Sequence, residues 1–159
     1  ADVDESDPDF PTGYTQTEGD DPTTVTAVAG ADTNAGNDGY YLSGTVSGHL
    51  YEDTNGNGSQ AAGEPDLANV DIIVIESGSN SQTVTTDSNG NWTATVPPGT
   101  TTITVDANDP DYPAGAVQTE GSVFSQVTAV AGETVFVGNY GYYFHVVENL
   151  VHLPLITMP

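Results

Sequence analysis

Neither lysine nor arginine occurs in this chain of 159 residues, although it carries 23 aspartates and glutamates and a formal charge of -23. An average domain mixes both signs of charge over about a quarter of its residues, so the missing sign is informative. Nucleic acid and anionic membrane surfaces are poor partners, because nothing can neutralise their phosphates. Cysteine is also absent, which rules out disulfides, thiolate metal sites and thiol redox chemistry. No apolar run is long enough to span a bilayer, and no signal-peptide pattern is present. An export signal is expected to lie outside this stretch, because the chain starts in mid-repeat. Strong helix formers are scarce. What remains is rich in Gly, Thr and short apolar runs, and a body this acidic wants divalent cations to relieve its self-repulsion.

High acidity alone would fit a disordered chain. Against that, Val, Ile, Thr and aromatic residues alternate in short runs between turn residues, the pattern of an all-β protein. The chain also repeats itself. Val3 to Tyr41 aligns without a gap onto Val105 to Tyr143, at an offset of 102, and 22 of the 39 positions are identical. The reading that follows is the closing part of one unit (1–41), a complete β-sandwich repeat (42–143), and an apolar tail or the start of a next unit (144–159). A period of about 100 residues suits a whole sandwich domain rather than a solenoid turn. A single duplication is the alternative to a long tandem array.

Within the full unit, strands are expected at 42–51, 70–76, 82–86, 92–96, 101–105, 127–131 and 134–143. Ser77-Gly78-Ser79-Asn80 and Asp87-Ser88-Asn89-Gly90 supply turns, and Pro97-Pro98-Gly99 breaks the ladder. Val70, Ile72 and Val74 should share one face, and Trp92, Ala94, Val96, Ile103 and Val105 should point into the core. One tyrosine of each terminal pair, Tyr40-Tyr41 and Tyr142-Tyr143, should be inside and the other outside.

The strongest local motif runs from Asp53 to Glu64, DTNGNGSQAAGE. It matches D-x-[DN]-x-[DN]-G-x5-E at every position. Hard Ca²⁺ takes six to eight oxygens, and alternate side chains of a tight loop can converge on one ion. Asp53, Asn55 and Asn57 would offer side-chain oxygens, Ser59 its carbonyl, and Glu64 two oxygens, with Gly58 at the sharp turn. The flanks are strands, so this would be a calcium loop on a β scaffold. The bland alternative is a polar turn built from Asn and Gly.

Around this loop the string Tyr51-Glu52-Asp53-x-Asn55-Gly56-Asn57-Gly58, then Gly63-Glu64-Pro65, Asp87-x-Asn89-Gly90-Asn91-Trp92 and Pro97-Pro98-Gly99, resembles the B-type domains of bacterial surface adhesins. These are the B domains of serine-aspartate-repeat adhesins and the related collagen-adhesin B-type domains. The likeness covers roughly Ser43 to Val105. It implies a Greek-key β-sandwich of immunoglobulin or transthyretin kind, calcium-dependent rigidity and a stalk role outside the bacterial cell. Many collagen-adhesin relatives carry a Lys–Asn isopeptide cross-link, which a chain without lysine cannot form.

Two acidic turns are weaker candidates. Asp4, Asp7 and Asp9, and their counterparts Asp106, Asp109 and Asp111, follow a Val in each copy and stand beside Asp-Pro-Asp. They read either as a second calcium site, with Glu18 or Glu120 contributing, or as solvated loops. Asp87, Asn89 and Asn91 read mainly as a hairpin turn. His49, His145 and His152 form no ligand cluster, and no nucleophile–base pair or phosphate loop is recognisable. With acids this dense, a chance carboxylate pair carries no glycosidase signal, and an enzyme is not expected. The sequence therefore points to a calcium-stiffened segment of an extracellular, cell-surface adhesin or filament, with neighbouring repeats or filament subunits as partners. The alternatives are a ligand-binding adhesin domain, whose protein or polysaccharide target the sequence does not name, and an accessory module of a secreted glycan-degrading enzyme.

Overall fold

A computed structural model describes residues 2–144, and the reading of the tail lies outside the described residues except at Phe144. The structure is all-β. The described residues form ten strands: β1 Tyr14–Glu18, β2 Gly39–Leu42, β3 Gly44–Glu52, β4 Asp71–Ile75, β5 Ser81–Thr85, β6 Asn91–Val96, β7 Gly99–Val105, β8 Val117–Glu120, β9 Ser125–Ala129 and β10 Thr134–Tyr143. Eight of them form a sandwich of two four-stranded sheets, ordered β6-β3-β10-β8 and β5-β4-β7-β9, while β1 and β2 make a separate hairpin. Every connection in the sandwich crosses between sheets except β4 to β5. This is Greek-key wiring, because β3 and β6 lie side by side but are joined through the opposite sheet.

Period-two alternation sets which side chains go inside. Strand β6 reads exposed-buried throughout, with Trp92, Ala94 and Val96 inward. Ile72 and Val74 of β4, and Val70 just before it, are fully buried, as is Ile103 of β7. These residues meet Val46 and Leu50 of β3 and Tyr140 and Tyr142 of β10 in one apolar cluster. Val105, expected in the core, is only half-buried at the edge of that cluster, because it ends its strand where the chain turns away.

The run read as one strand at 42–51 is two. Strand β2 ends at Leu42, Ser43 intervenes, and β3 starts at Gly44. Strands β1 and β8 were not anticipated. Their sequences, YTQTE and VQTE, are short and mostly polar, so they carry little alternation. Both stand where the repeat predicts a common structure. In one copy Glu120 pairs with Gly141, Gln118 with Tyr142 and Val117 with Tyr143. In the other, Glu18 pairs with Gly39, Gln16 with Tyr40 and Thr15 with Tyr41, with the same break in register. Phe10 meets Tyr40 edge-on at 5.1 Å, and Tyr112 meets Tyr142 edge-on at 5.4 Å. Tyr142 is buried and Tyr143 half-buried, whereas Tyr40 and Tyr41 are both half-buried, since the first hairpin has no sandwich beneath it.

Candidate metal centre

The 53–64 loop leaves the sandwich at the end of β3 and returns to the same place. Its base is closed by Glu52 N–H donating to the Pro65 carbonyl at 2.8 Å and by a bridge between Tyr51 and Asp66. Asp53 N–H donates to the Tyr142 carbonyl at 2.9 Å, which ties the first residue of the motif to β10.

Inside the loop, the oxygens expected to bind metal are turned inward onto the loop's own amides. Asp53, fully buried, accepts from Gly58 N–H at 2.7 Å and Asn57 N–H at 3.1 Å. Asn55 Oδ1 accepts from Asn57 N–H at 3.0 Å, and Asn57 Oδ1 from Ser59 N–H at 2.9 Å. Glu64 reaches back across the loop. It accepts from Ala61 N–H at 2.8 Å, from the Thr54 hydroxyl at 3.1 Å and from the Asn55 side-chain amide at 2.9 Å. Asp53, Asn55, Asn57 and Glu64 are thus gathered in one turn. Gly58 holds φ +76° and its Cα lies so close to β8 that a Cβ would stand 3.0 Å from the Thr119 carbonyl. Only glycine meets both demands there without strain.

The donor set is all oxygen, which suits a hard cation of calcium type rather than zinc or copper. Burial works to raise the pKa of the Asp53 carboxyl, but the Thr119 hydroxyl beside it and the amides of Gly58, Asn57 and Gly56 outweigh that, so the net direction is down. The Thr119 hydroxyl is itself buried and lacks a partner in strict hydrogen-bond geometry. Asp53 is therefore an ionised, buried carboxylate, and with neither Lys nor Arg in the chain no permanently cationic side chain can face it. Because its folded pKa lies below the ordinary 3.8, its contribution to stability is complete above that value and is lost as pH falls through the folded pKa. In EDTA, the intact chain should lose stability more steeply than Asp53→Asn below about pH 4. Parallel acid-unfolding curves by circular dichroism would refute this.

Three residues that sequence reasoning did not assign to this loop support it. The Tyr51 hydroxyl, on a fully buried side chain, donates to Glu120 Oε2 at 2.6 Å. Burial first, then that bond and the charges of Glu120, Asp53 and Glu64, push the Tyr51 pKa well above its ordinary value. Glu120 is thus tied to Tyr51, at the base of the 53–64 loop. Its available signal was the run Gln-Thr-Glu-Gly, identical at 16–19 and 118–121. Tyr51→Phe should cost about 1–2 kcal/mol in urea unfolding, and Glu120→Gln less, because the amide oxygen still accepts. Equal effects would argue against a charge-assisted bond. On the other side, His49 Nε2 lies 3.1 Å from Gln60 Oε1 and 3.2 Å from Asp66 Oδ1, while Nδ1 lies 3.1 Å from Asn91 Oδ1. His49 therefore clips the loop to the β5–β6 turn.

The acidic turns behave differently. Asp106 Oδ1 accepts from Asn108 N–H at 2.9 Å and Asp109 Oδ1 from Asp111 N–H at 2.7 Å. In the other copy Asp4 Oδ1 accepts from Ser6 N–H at 3.0 Å and Asp7 Oδ1 from Asp9 N–H at 2.7 Å. These are local Asx turns, and Asp9 and Asp111 are exposed. Among the described residues, no three His, Cys, Asp or Glu side chains gather as a metal cluster. Asp87 Oδ1 accepts from Asn89 and Asn91 N–H at 2.8 and 2.9 Å; this is a polar turn, but not the hairpin expected, because β5 and β6 lie in opposite sheets and do not pair.

No family model matches the chain, and no curated protein does. Several solved structures match part of the chain at low identity. A minor pilin of Streptococcus agalactiae is 14% identical with a TM-score of 0.46, covering 75% of this chain and 48% of its own. The TIE protein of Bacillus anthracis is 14% identical with a TM-score of 0.45, over 66% of this chain and 19% of its own. An adhesin of Mobiluncus mulieris with intramolecular disulfide, isopeptide and ester cross-links is 16% identical with a TM-score of 0.39, over 83% and 55%. The chain spans less than two thirds of each.

Proposed function

We propose that this chain is a segment of a repeat-built extracellular stalk or filament, stiffened by Ca²⁺ in the 53–64 loop. The observation that carries the reading is Asp53: a buried, ionised carboxylate in a loop of inward-turned oxygens, within a chain that has no Lys or Arg to neutralise it. A bound cation answers that imbalance, and Asp53, Asn55, Asn57, Glu64 and the Ser59 carbonyl are the groups that would hold it. The loop is tied to β3, β8 and β10 at once, so an ion there would lock one end of the sandwich rather than an isolated turn. Proteins outside the cell meet millimolar calcium, and extracellular modules bind at ~10⁻⁴–10⁻³ M, which two amide ligands in place of carboxylates would suit. The twice-made hairpin and acidic turn support a structural, repeated role. The turns at 4–9 and 106–111 are reserve positions for further ions, and a calorimetric stoichiometry of one would leave them as solvated turns. The deciding experiment compares melting of the whole chain in EDTA, CaCl₂ and MgCl₂. A rise specific to calcium is expected, and equal responses to both salts would reduce the effect to charge screening.

One observation favours the ligand-binding alternative. Phe124 and Phe136 are 67% and 61% exposed, and the aligned positions of the first copy hold Pro22 and Asn34. Two outward phenylalanines with no aromatic counterpart in the first copy are what an adhesive surface would display.

A further inference from the structure

Leu42 stands at the junction between the hairpin and the sandwich. Leu42, half-buried at the end of β2, lies between two glycines from opposite sides of the junction. A Cβ on Gly13, in the turn before β1, would stand 3.5 Å from Leu42 Cδ1. A Cβ on Gly132, at the tip between β9 and β10, would stand 3.0 Å from Leu42 Cδ2. The backbone completes the contact. Gly132 N–H donates to the Ser43 carbonyl at 2.9 Å, and Thr45 N–H to the Glu133 carbonyl at 2.8 Å. Gly44 runs directly beneath the Val130 carbonyl, where a Cβ would come within 2.4 Å.

The repeat supplies both halves of this contact a second time. Gly13 aligns with Gly115, Leu42 with Phe144, and the tip Val25–Gly30 is identical to Val127–Gly132, reading VTAVAG in each. Among the described residues, nothing stands within 4 Å of a Cβ placed on Gly115 or on Gly30. Val28 in the first tip is 60% exposed, against 41% for Val130 in the second.

We propose that the Leu42 contact is the repeat-to-repeat joint of this protein. The surface formed by the Gly115 turn and Phe144 is then a docking site for the Val-Ala-Gly tip of another copy of the same repeat. The apolar residue at the end of each unit, Leu42 or Phe144, plugs a notch made by the glycine turn of its own unit and the glycine tip of the unit that follows. Such a contact is heterologous and head-to-tail, so each unit along the chain can make it with the next. It buries little by itself. The single-residue link through Ser43 holds the two faces at high effective concentration, and that makes a small contact sufficient. The joint rests on the repeat reading above but not on calcium.

Tryptophan reports the joint directly, since Trp92 is buried and gives a constant background. Leu42→Trp in the whole chain should resist acrylamide quenching, and Phe144→Trp in the same chain should be quenched several-fold more readily. Inserting a second copy of residues 43–144 directly after Phe144 gives Phe144 a following unit and keeps the rest of the chain. In that longer protein Phe144→Trp should become as shielded as Leu42→Trp. If it stays open while circular dichroism shows the added sandwich folded, the joint is wrong. It is equally wrong if Leu42→Trp is as open as Phe144→Trp in the natural chain. Should the longer chain not fold, Leu42→Asp in the natural chain decides. It should speed hydrogen exchange of the Gly132 amide several-fold, and unchanged exchange overturns the proposal. Running the quenching in EDTA and in CaCl₂ separates the two readings: a shielded indole in the Leu42→Trp variant with no calcium response keeps the joint and removes the calcium-stiffened stalk.

Discussion

Replacing Asp53 by alanine is expected to abolish the calcium-dependent rise in melting temperature proposed for the intact chain. The motif's first position supplies a carboxylate buried between β3 and β8, with two loop amides already pointing at it. For a site in the affinity range of extracellular modules, ~10 mM calcium is about 10–100 times Kd. That corresponds to about 1.4–2.7 kcal/mol of linked stabilisation, or on the order of 10 °C for a sandwich of about 100 residues. Alanine removes the anionic ligand and orphans the Asn57 and Gly58 amides, so the variant should also melt lower in EDTA. Two readouts therefore separate two roles. A lower melting point with the calcium increment intact would make Asp53 a hydrogen-bonding cap of a polar turn. Loss of the increment makes it a ligand. Glu64→Gln should remove most of the increment too, because it takes one charge from the residue that closes the loop. Binding offsets only two charges of the 23, so the calcium effect should persist at high salt, where general repulsion is screened.

The second large effect lies in the core. Trp92→Ala should cost about 3–5 kcal/mol, a large part of the 5–15 kcal/mol that separates a typical domain from its unfolded state. Trp92 sits on β6 opposite Gly48 of β3 in the ladder, and a Cβ on Gly48 would stand 2.7 Å from the indole Cζ2. The ring therefore lies over bare backbone. Gly48→Ala should in turn cost about 1–3 kcal/mol through overpacking. The test is the double variant. If the ring and the missing Cβ oppose one another, Gly48→Ala should be far less harmful once Trp92 is replaced by alanine, with coupling of about 0.5–3 kcal/mol between the sites. Urea unfolding followed by circular dichroism measures this without relying on the lost fluorophore. Simple additivity would mean that Gly48 is there for some other reason.

Some of this architecture is legible one residue at a time. Val70, Ile72 and Val74, and Trp92, Ala94 and Val96, announce their inward faces by strict alternation, and all six are buried. The 53–64 motif is legible because its partners lie within twelve residues, so spacing alone brings Asp53, Asn55, Asn57 and Glu64 into one turn. The acidic turns show where that logic stops. Their local hydrogen bonds form in both copies, yet clustering acids in sequence does not converge their carboxylates in space.

The sequence by itself determined the all-β class, the inward faces, the doubled segment and the tight turn at 53–64, since each follows from short-range pattern or from self-comparison. Tertiary structure alone decided the parallel pairing of β10 with β3, the approach of Thr119 and Glu120 to the loop, and the seat of Leu42 between Gly13 and Gly132. The six residues VTAVAG make the point in a single chain. In the second copy the first three of them, Val127 to Ala129, close strand β9, because β7 lies alongside and pairs with them. At 25–30 the same six residues form no strand, because no described strand offers them a ladder. Strand formation depends on a neighbour's backbone as well as on side chains, and a neighbour is something only the fold supplies.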